Sequence, residues 1–150
     1  MHTWPPMIDG VRLTPLRIIG DERGSVMHML RATDAHFAGF GEVYFSTIVA
    51  GARKEWRLHR KHTSQLAVVV GTVRFVLHPG NAGGAGGTEE IEIGASNYQL
   101  LTIPPGVWYA FENRGSSTAI IANCSNGVHD PNEAERRGFD DPPAPYVWRN

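Results

Sequence analysis

Two histidines, His59 and His62, stand in the middle of the stretch GARKEWRLHRKHTSQLAVVVG at residues 51–71. Imidazole has an ordinary pKa near neutrality, so a histidine delivered at the start of a rigid strand can take up and return protons. Trp56 and Arg57 lead into His59, and a run of valines closing on Gly71 follows. The pattern predicts His59 as a general base in the mouth of a small β-barrel. On an extended strand, positions i and i+3 point to opposite faces. With His59 inward, His62, flanked by Lys61 and Thr63, is expected outward on a solvated face.

The elements that hold such a site belong to one domain, since 150 residues supply a single sizeable core. With 14 basic and 15 acidic residues and a net charge of -1, the chain lacks the electrostatic footprint of a nucleic-acid or membrane-surface binder. One cysteine, Cys124, can form neither an internal disulfide nor a thiolate metal cluster. No apolar run approaches a membrane span, and Met1-His2-Thr3-Trp4-Pro5-Pro6 leads into no apolar leader region. The expected location is the cytoplasm.

Seventeen glycines and ten prolines punctuate short runs rich in Val, Ile, Thr, Tyr and Phe, the pattern of an all-β sandwich or barrel. Strands are expected over residues 11–19, with Pro15 marking an edge or bend, and over 25–30, 42–49 and 65–77, the last divided at Gly71-Thr72. Further strands are expected at 89–93, 98–103, 107–112 and 117–123, with a turn at 21–24 and a loop at 33–41. The segment HPGNAGGAGGT at 78–88 lacks the Gly-Lys-Ser/Thr ending of a phosphate loop and reads as a hairpin tip. One short helix is expected at 130–138, with Asp130 as cap, Pro131 at the first position, Glu133 completing a capping box and Gly138 at the end. Residues 1–20 form an N-terminal strand or arm and residues 139–150 an extended tail.

Two glycine-bounded motifs separated by a variable hairpin mark the cupin barrels. Gly51, five residues and then Arg57-Leu58-His59, with Gln65 ahead of Gly71, match the first; Pro104-Pro105-Gly106, Tyr109 and Asn113 match the second. The chain therefore resembles a cupin, which implies a jelly-roll β-barrel, here with one short C-terminal helix. Of the four ligands usual in metal-binding cupins only His59 is kept. One imidazole with an amide and a phenol is a poor set for a first-row metal, so no metal and no other cofactor is expected.

Among metal-free cupins the chain resembles the dTDP-4-dehydrorhamnose 3,5-epimerase family and its short sugar-epimerase-like relatives. The matching segments are DERGSVMHML, GEVYFSTIVAGARKEWRLH, IPPGVWYAF, NCSNGVHDP and Asp140-Asp141-Pro142. The resemblance implies a homodimer that binds a nucleotide-linked 4-keto-6-deoxy sugar. It puts the catalytic histidine on His59, its carboxylate partner on Asp141 and a nucleotide-facing arginine on Arg23. The family's catalytic tyrosine has no counterpart at Ala122-Asn123-Cys124, which leaves Tyr109 and Tyr44 as candidate proton donors. The family's R-G-L-H arginine falls on Trp56, with Arg57 next to it. Arg57 and Lys54 are candidates for holding an enolate or a diphosphate, and Gln65 lies near the position of a family lysine. Trp56 and Trp108 are candidate walls for a base or sugar, and His28 falls in a matching segment as a further substrate contact.

Epimerisation beside a ketone needs a base for the α-proton, a holder for the enolate oxygen and an acid for the opposite face. The expected activity is that of a nucleotide-sugar epimerase on a dTDP-4-keto-6-deoxyhexose. A 3,4-ketoisomerase, a non-catalytic sugar-nucleotide-binding cupin and a metal-dependent cupin are the alternatives.

Overall fold

The computed structural model describes Pro6 and residues 8–80 and 87–149. Among these residues the regular structure is entirely β: β1 (Arg12–Pro15), β2 (Ile18–Asp21), β3 (Gly24–Met27), β4 (Glu42–Ile48), β5 (Arg53–His59), β6 (Ser64–Val70), β7 (Thr72–His78), β8 (Glu89–Gly94), β9 (Gln99–Ile103), β10 (Trp108–Glu112), β11 (Ala119–Ser125) and β12 (Ala134–Arg137). Two five-stranded sheets, in the orders β1-β9-β6-β11-β4 and β12-β5-β10-β7-β8, face one another, and β2-β3 is a separate hairpin. All pairings are antiparallel.

The core follows from period-two alternation. Inward residues such as Ile48, Leu66, Phe75, Leu101, Tyr109 and Ile121 fill the space between the sheets. The opposite faces are also apolar. Trp56, Leu58, Val76, Trp108 and Ala110 form a second cluster, covered by Tyr146 and Trp148 of the C-terminal tail. Ala67, Tyr98 and Leu100 form a third, against Leu16, Met27, Met29 and Leu30. Gly71, at φ 79, separates β6 from β7, and a Cβ there would lie 2.9 Å from that of Ala119. Pro15 closes β1 at the sheet edge, where its missing N–H costs no ladder bond.

The β5–β10 ladder slips by one residue. Tyr109 faces Arg57, whereas Phe111 faces Lys54. This bulge returns Lys54 to the inward face that Arg57 and His59 share, while Trp56 and Leu58 stay outward.

The helix expected at 130–138 does not form. Asp130 does act as a cap, accepting the Asn132 N–H on Oδ1 (3.0 Å) and the Glu133 N–H on its carbonyl (3.1 Å), but for a single turn. The chain then pairs as β12 along the free edge of β5, with Ala134 opposite His59 and Arg137 opposite Trp56. A two-turn helix is marginal without packing, and these cross-strand bonds outweigh its local capping signals. The expected arm at 1–20 appears as β1 and β2 within its described part, residues 1–5 and 7 lying outside the described residues. The hairpin expected at 78–88 joins the paired β7 and β8, although residues 81–86 also lie outside the described residues.

Candidate active site

His59 ends β5 on the inward face. Its Nδ1 lies 2.6 Å from Oε1 of Glu133, which itself is 5% exposed. The other carboxylate oxygen accepts the N–H groups of Lys61 (3.0 Å) and His62 (3.1 Å). Glu133 comes into reach because β12 lies against β5, and its own carbonyl accepts the Arg60 N–H at 3.0 Å. Burial raises the Glu133 pKa, but the His59 hydrogen bond and the two N–H groups outweigh it and hold the carboxyl down at about 2. The carboxylate is thus ionised at any working pH and fixes the proton of His59 on Nδ1. The far nitrogen, Nε2, is buried and has no hydrogen-bond partner among the described residues. A ring held in this tautomer presents Nε2 as a proton acceptor.

A pocket of about 340 Å³ opens over this ring, lined by Tyr44, Arg57, His59, His62, His129 and Glu133 among others. Tyr109 lies buried behind this pocket, its ring stacked at 6.3 Å from that of His59. Burial pushes the Tyr109 hydroxyl up to about 12, with the charge of Arg57 acting in the opposite sense. Tyr44 projects from β4, and its hydroxyl accepts a hydrogen bond from Asn123 Nδ2 at 2.7 Å, directly across the β4–β11 ladder. Asn123 lies in the segment that matches the family tyrosine's surroundings, and the phenol of Tyr44 stands one strand away from it.

His62 faces the site instead of solvent. Its ring stacks 6.1 Å from that of His59, and its Nδ1 lies 3.4 Å from Glu133 Oε1. The strand ends at His59, so the alternation rule does not reach His62. The ring packs against Gly127, where a Cβ would lie 2.0 Å from His62 Nε2.

Other expected contacts fall elsewhere. Asp141 does not meet His59; it is exposed and its N–H closes a turn onto the Gly138 carbonyl. Glu133 takes that place, and the HDP segment at 129–131, just ahead of it, was the available sequence signal. Arg23 sits on the β2–β3 turn, 83% exposed and bound to Asp21 at 2.6 Å. Gln65 is fully buried and spends its amide on the 33–41 loop and β9, accepting from Ala38 N and donating to the His36 carbonyl and Thr102 Oγ1. Trp56 and Trp108 belong to the outward cluster under the tail, because alternation places both on the face opposite Arg57. His28 lies just past β3, its N–H on the Arg17 carbonyl, away from the pocket lining. Lys54 donates to the Thr47 carbonyl at 2.9 Å, bridging β5 to β4; burial and then the charge of Arg57 lower its pKa.

His59, His62 and Glu133 offer three potential metal-ligand atoms within 4.8 Å of one another. Both imidazoles, however, converge on one carboxylate oxygen while the other is taken by two N–H groups. In this structure the three groups are engaged with one another as a hydrogen-bonded cluster.

A barrel of two antiparallel sheets with a histidine–carboxylate pair in its pocket has the architecture of a cupin. The chain is 39% identical to a dTDP-sugar isomerase from Desulfovibrio desulfuricans G20, covering 94% of this chain and 92% of that one with a TM-score of 0.89. It belongs to the dTDP-sugar isomerase family. The 3'-monoepimerase ChmJ from Streptomyces bikiniensis, whose double mutant was solved with dTDP, shares the fold at 18% identity and a TM-score of 0.83, over 99% of this chain and 78% of that one. So does the sugar 3,4-ketoisomerase QdtA from Thermoanaerobacterium thermosaccharolyticum in complex with TDP, at 21% identity and a TM-score of 0.72, over 89% and 92%. The spore coat polysaccharide biosynthesis protein SpsL of Bacillus subtilis (strain 168) is 25% identical over 146 residues, 95% of this chain and 97% of its own. No family model matches the chain. Among the described residues no helix is long and apolar enough to cross a membrane.

Proposed function

We propose that the chain is a nucleotide-sugar epimerase acting on a dTDP-4-keto-6-deoxyhexose by abstraction of the proton α to the ketone. The observation that carries this is the buried, unpartnered Nε2 of His59, whose ring is fixed through Nδ1 by an ionised Glu133. The C–H bond breaks toward Nε2, its electron pair moves into the enolate, and the resulting imidazolium is stabilised by Glu133. The guanidinium of Arg57, on the same face and lining the same pocket, favours the developing enolate charge. The hydroxyl of Tyr44 returns a proton to the carbon, and solvent resets both groups. Tyr44 suits this role better than Tyr109, because it lines the pocket whereas Tyr109 is fully enclosed with a hydroxyl pushed up to about 12.

The functional unit is read as a homodimer. Val43 and Phe45, 50% and 68% exposed, lie on the edge strand β4, and Val70 at 46% ends β6 two strands away in the same sheet, exposed apolar side chains of the kind that a second copy covers. Light scattering of the purified chain tests this.

The reaction is tested by incubating the protein with dTDP-4-keto-6-deoxyglucose in heavy water and following the ring by NMR. Deuterium at C3 or C5 with the 4-ketone retained is the expected result. Movement of the ketone to C3 assigns a 3,4-ketoisomerase instead, and the absence of exchange refutes α-proton chemistry.

A further inference from the structure

We infer that His62 is a positioning residue for the proton transfer at His59, acting through Glu133: its ring keeps one carboxylate oxygen committed to the His59 imidazole. This rests on the α-proton reading above and adds a residue to it. Oε1 of Glu133 is the oxygen that fixes the His59 tautomer, 2.6 Å from Nδ1, and Nδ1 of His62 lies 3.4 Å from the same atom. A ring-nitrogen lone pair turned toward an anionic oxygen is repelled, so the proton of His62 belongs on Nδ1. At 3.4 Å the contact is longer than a full hydrogen bond. Its work is therefore to turn the positive edge of a ring toward Oε1 and to keep water from it. The same residue also donates its backbone N–H to Oε2 at 3.1 Å, so His62 meets both oxygens of the carboxylate. Although Glu133 lines the pocket, its side chain is 4% exposed, and His62 lines the pocket beside it. Water reaching Oε1 would compete with His59 for that oxygen and loosen the ring.

The surroundings hold the His62 ring in this place. The next residue, Thr63, donates its N–H to Asn126 Oδ1 at 2.8 Å and accepts the Asn126 N–H on its carbonyl at 3.2 Å, which ties the loop after β5 to the end of β11. The far edge of the ring abuts Gly127, a position with no room for a side chain. Gly127 is itself closely approached by Gly41, where a Cβ would lie 2.4 Å from the Gly127 carbonyl carbon, and the Gly41 N–H is bonded to the Ser125 carbonyl at 2.7 Å. Two positions without side chains thus make space for one imidazole, whose ring stacks 22° from parallel with that of His59. An apolar side chain could fill that space. Only a polar N–H at the Nδ1 position turns a positive edge toward Oε1, and that difference separates a positioning role from simple packing.

The experiment compares the full chain with His62→Leu, which keeps bulk and removes the donor, and with His62→Asn, whose amide can return an N–H near the Nδ1 position. Deuterium exchange into dTDP-4-keto-6-deoxyglucose is measured over a range of substrate concentrations, and the proton NMR resonance of the His59 Nδ1–H is followed without substrate. His62→Leu is expected to lose about fivefold or more in kcat with KM changed by less than about twofold. Its Nδ1–H resonance is expected to broaden through exchange with water. His62→Asn is expected to recover most of the rate and the sharp resonance. Should leucine prevent folding, His62→Met is the donor-free variant. A folded donor-free variant with the parent's kcat and a sharp resonance overturns the assignment and leaves His59 and Glu133 standing. Equal losses in the donor-free variant and in His62→Asn also overturn it. A parent protein that shows no exchange overturns the α-proton reading and the role of His62 with it.

Discussion

Glu133→Gln removes one negative charge and one acceptor from the centre of the site. The carboxylate takes three N–H donors, from His59 Nδ1, Lys61 and His62. A glutamine has one acceptor oxygen, so either His59 loses its partner or the two backbone N–H groups meet an amide donor. Holding the carboxyl at about 2 instead of its ordinary 4.5 corresponds to about 3 kcal/mol in favour of the ionised form. The folded-state value is depressed, so this stability is fully present above pH 4.5 and is lost as the pH falls toward 2. Urea unfolding of Glu133→Gln at pH 7 is therefore expected to show a loss of about 3 kcal/mol. The share of acid sensitivity between pH 4.5 and 2 that belongs to this carboxyl is expected to vanish. Solvent exchange at the substrate α-carbon is expected to drop by about 10²–10⁴, the usual worth of a positioned general base. A variant whose stability matches the parent's and whose exchange stays within about threefold refutes the assignment of Glu133 as the partner that fixes His59.

Tyr44→Phe removes the proposed acid and leaves the base intact. Deuterium wash-in through His59 is expected to continue while formation of the inverted product falls by about 10² or more; equal loss of both would remove Tyr44 from that role. Gly127→Ala places a methyl 2.0 Å from His62 Nε2, and overpacking of this kind costs about 1–3 kcal/mol. Thermal unfolding and the NMR shifts of His62 are expected to change together, and a silent substitution would show that His62 is not wedged as described.

The strands were legible because β-branched runs and glycine or proline breaks are local signals. Gly71 divides β6 from β7 where the sequence divides, and the turn at 21–24 is the β2–β3 turn. The inward position of His59 at the end of β5 was legible from its motif. Its partner was not, because 74 positions separate it from Glu133, and the signals around Glu133 are those of a helix cap. Asp130 and Glu133 serve a different end: one closes a single turn, the other turns in to His59 once β12 pairs with β5. The inward turn of Lys54 depends on a register slip against β10, which no pattern within β5 reveals. Trp108 looks like a pocket wall until the tail is seen to cover it, whereas Trp56, packed under the same tail, still lines a groove beside β12. His62 was placed outward by a strand rule applied one loop too far.

The central claim is that Nε2 of His59 removes the α-proton of a 4-keto sugar nucleotide. The direct measurement is deuterium incorporation at C3 and C5 of dTDP-4-keto-6-deoxyglucose by the parent chain and by His59→Asn, with dTDP affinity measured alongside. Rapid incorporation by the parent, a loss of about 10² or more in the variant and unchanged dTDP affinity are expected. Incorporation at the parent rate by His59→Asn would contradict the claim.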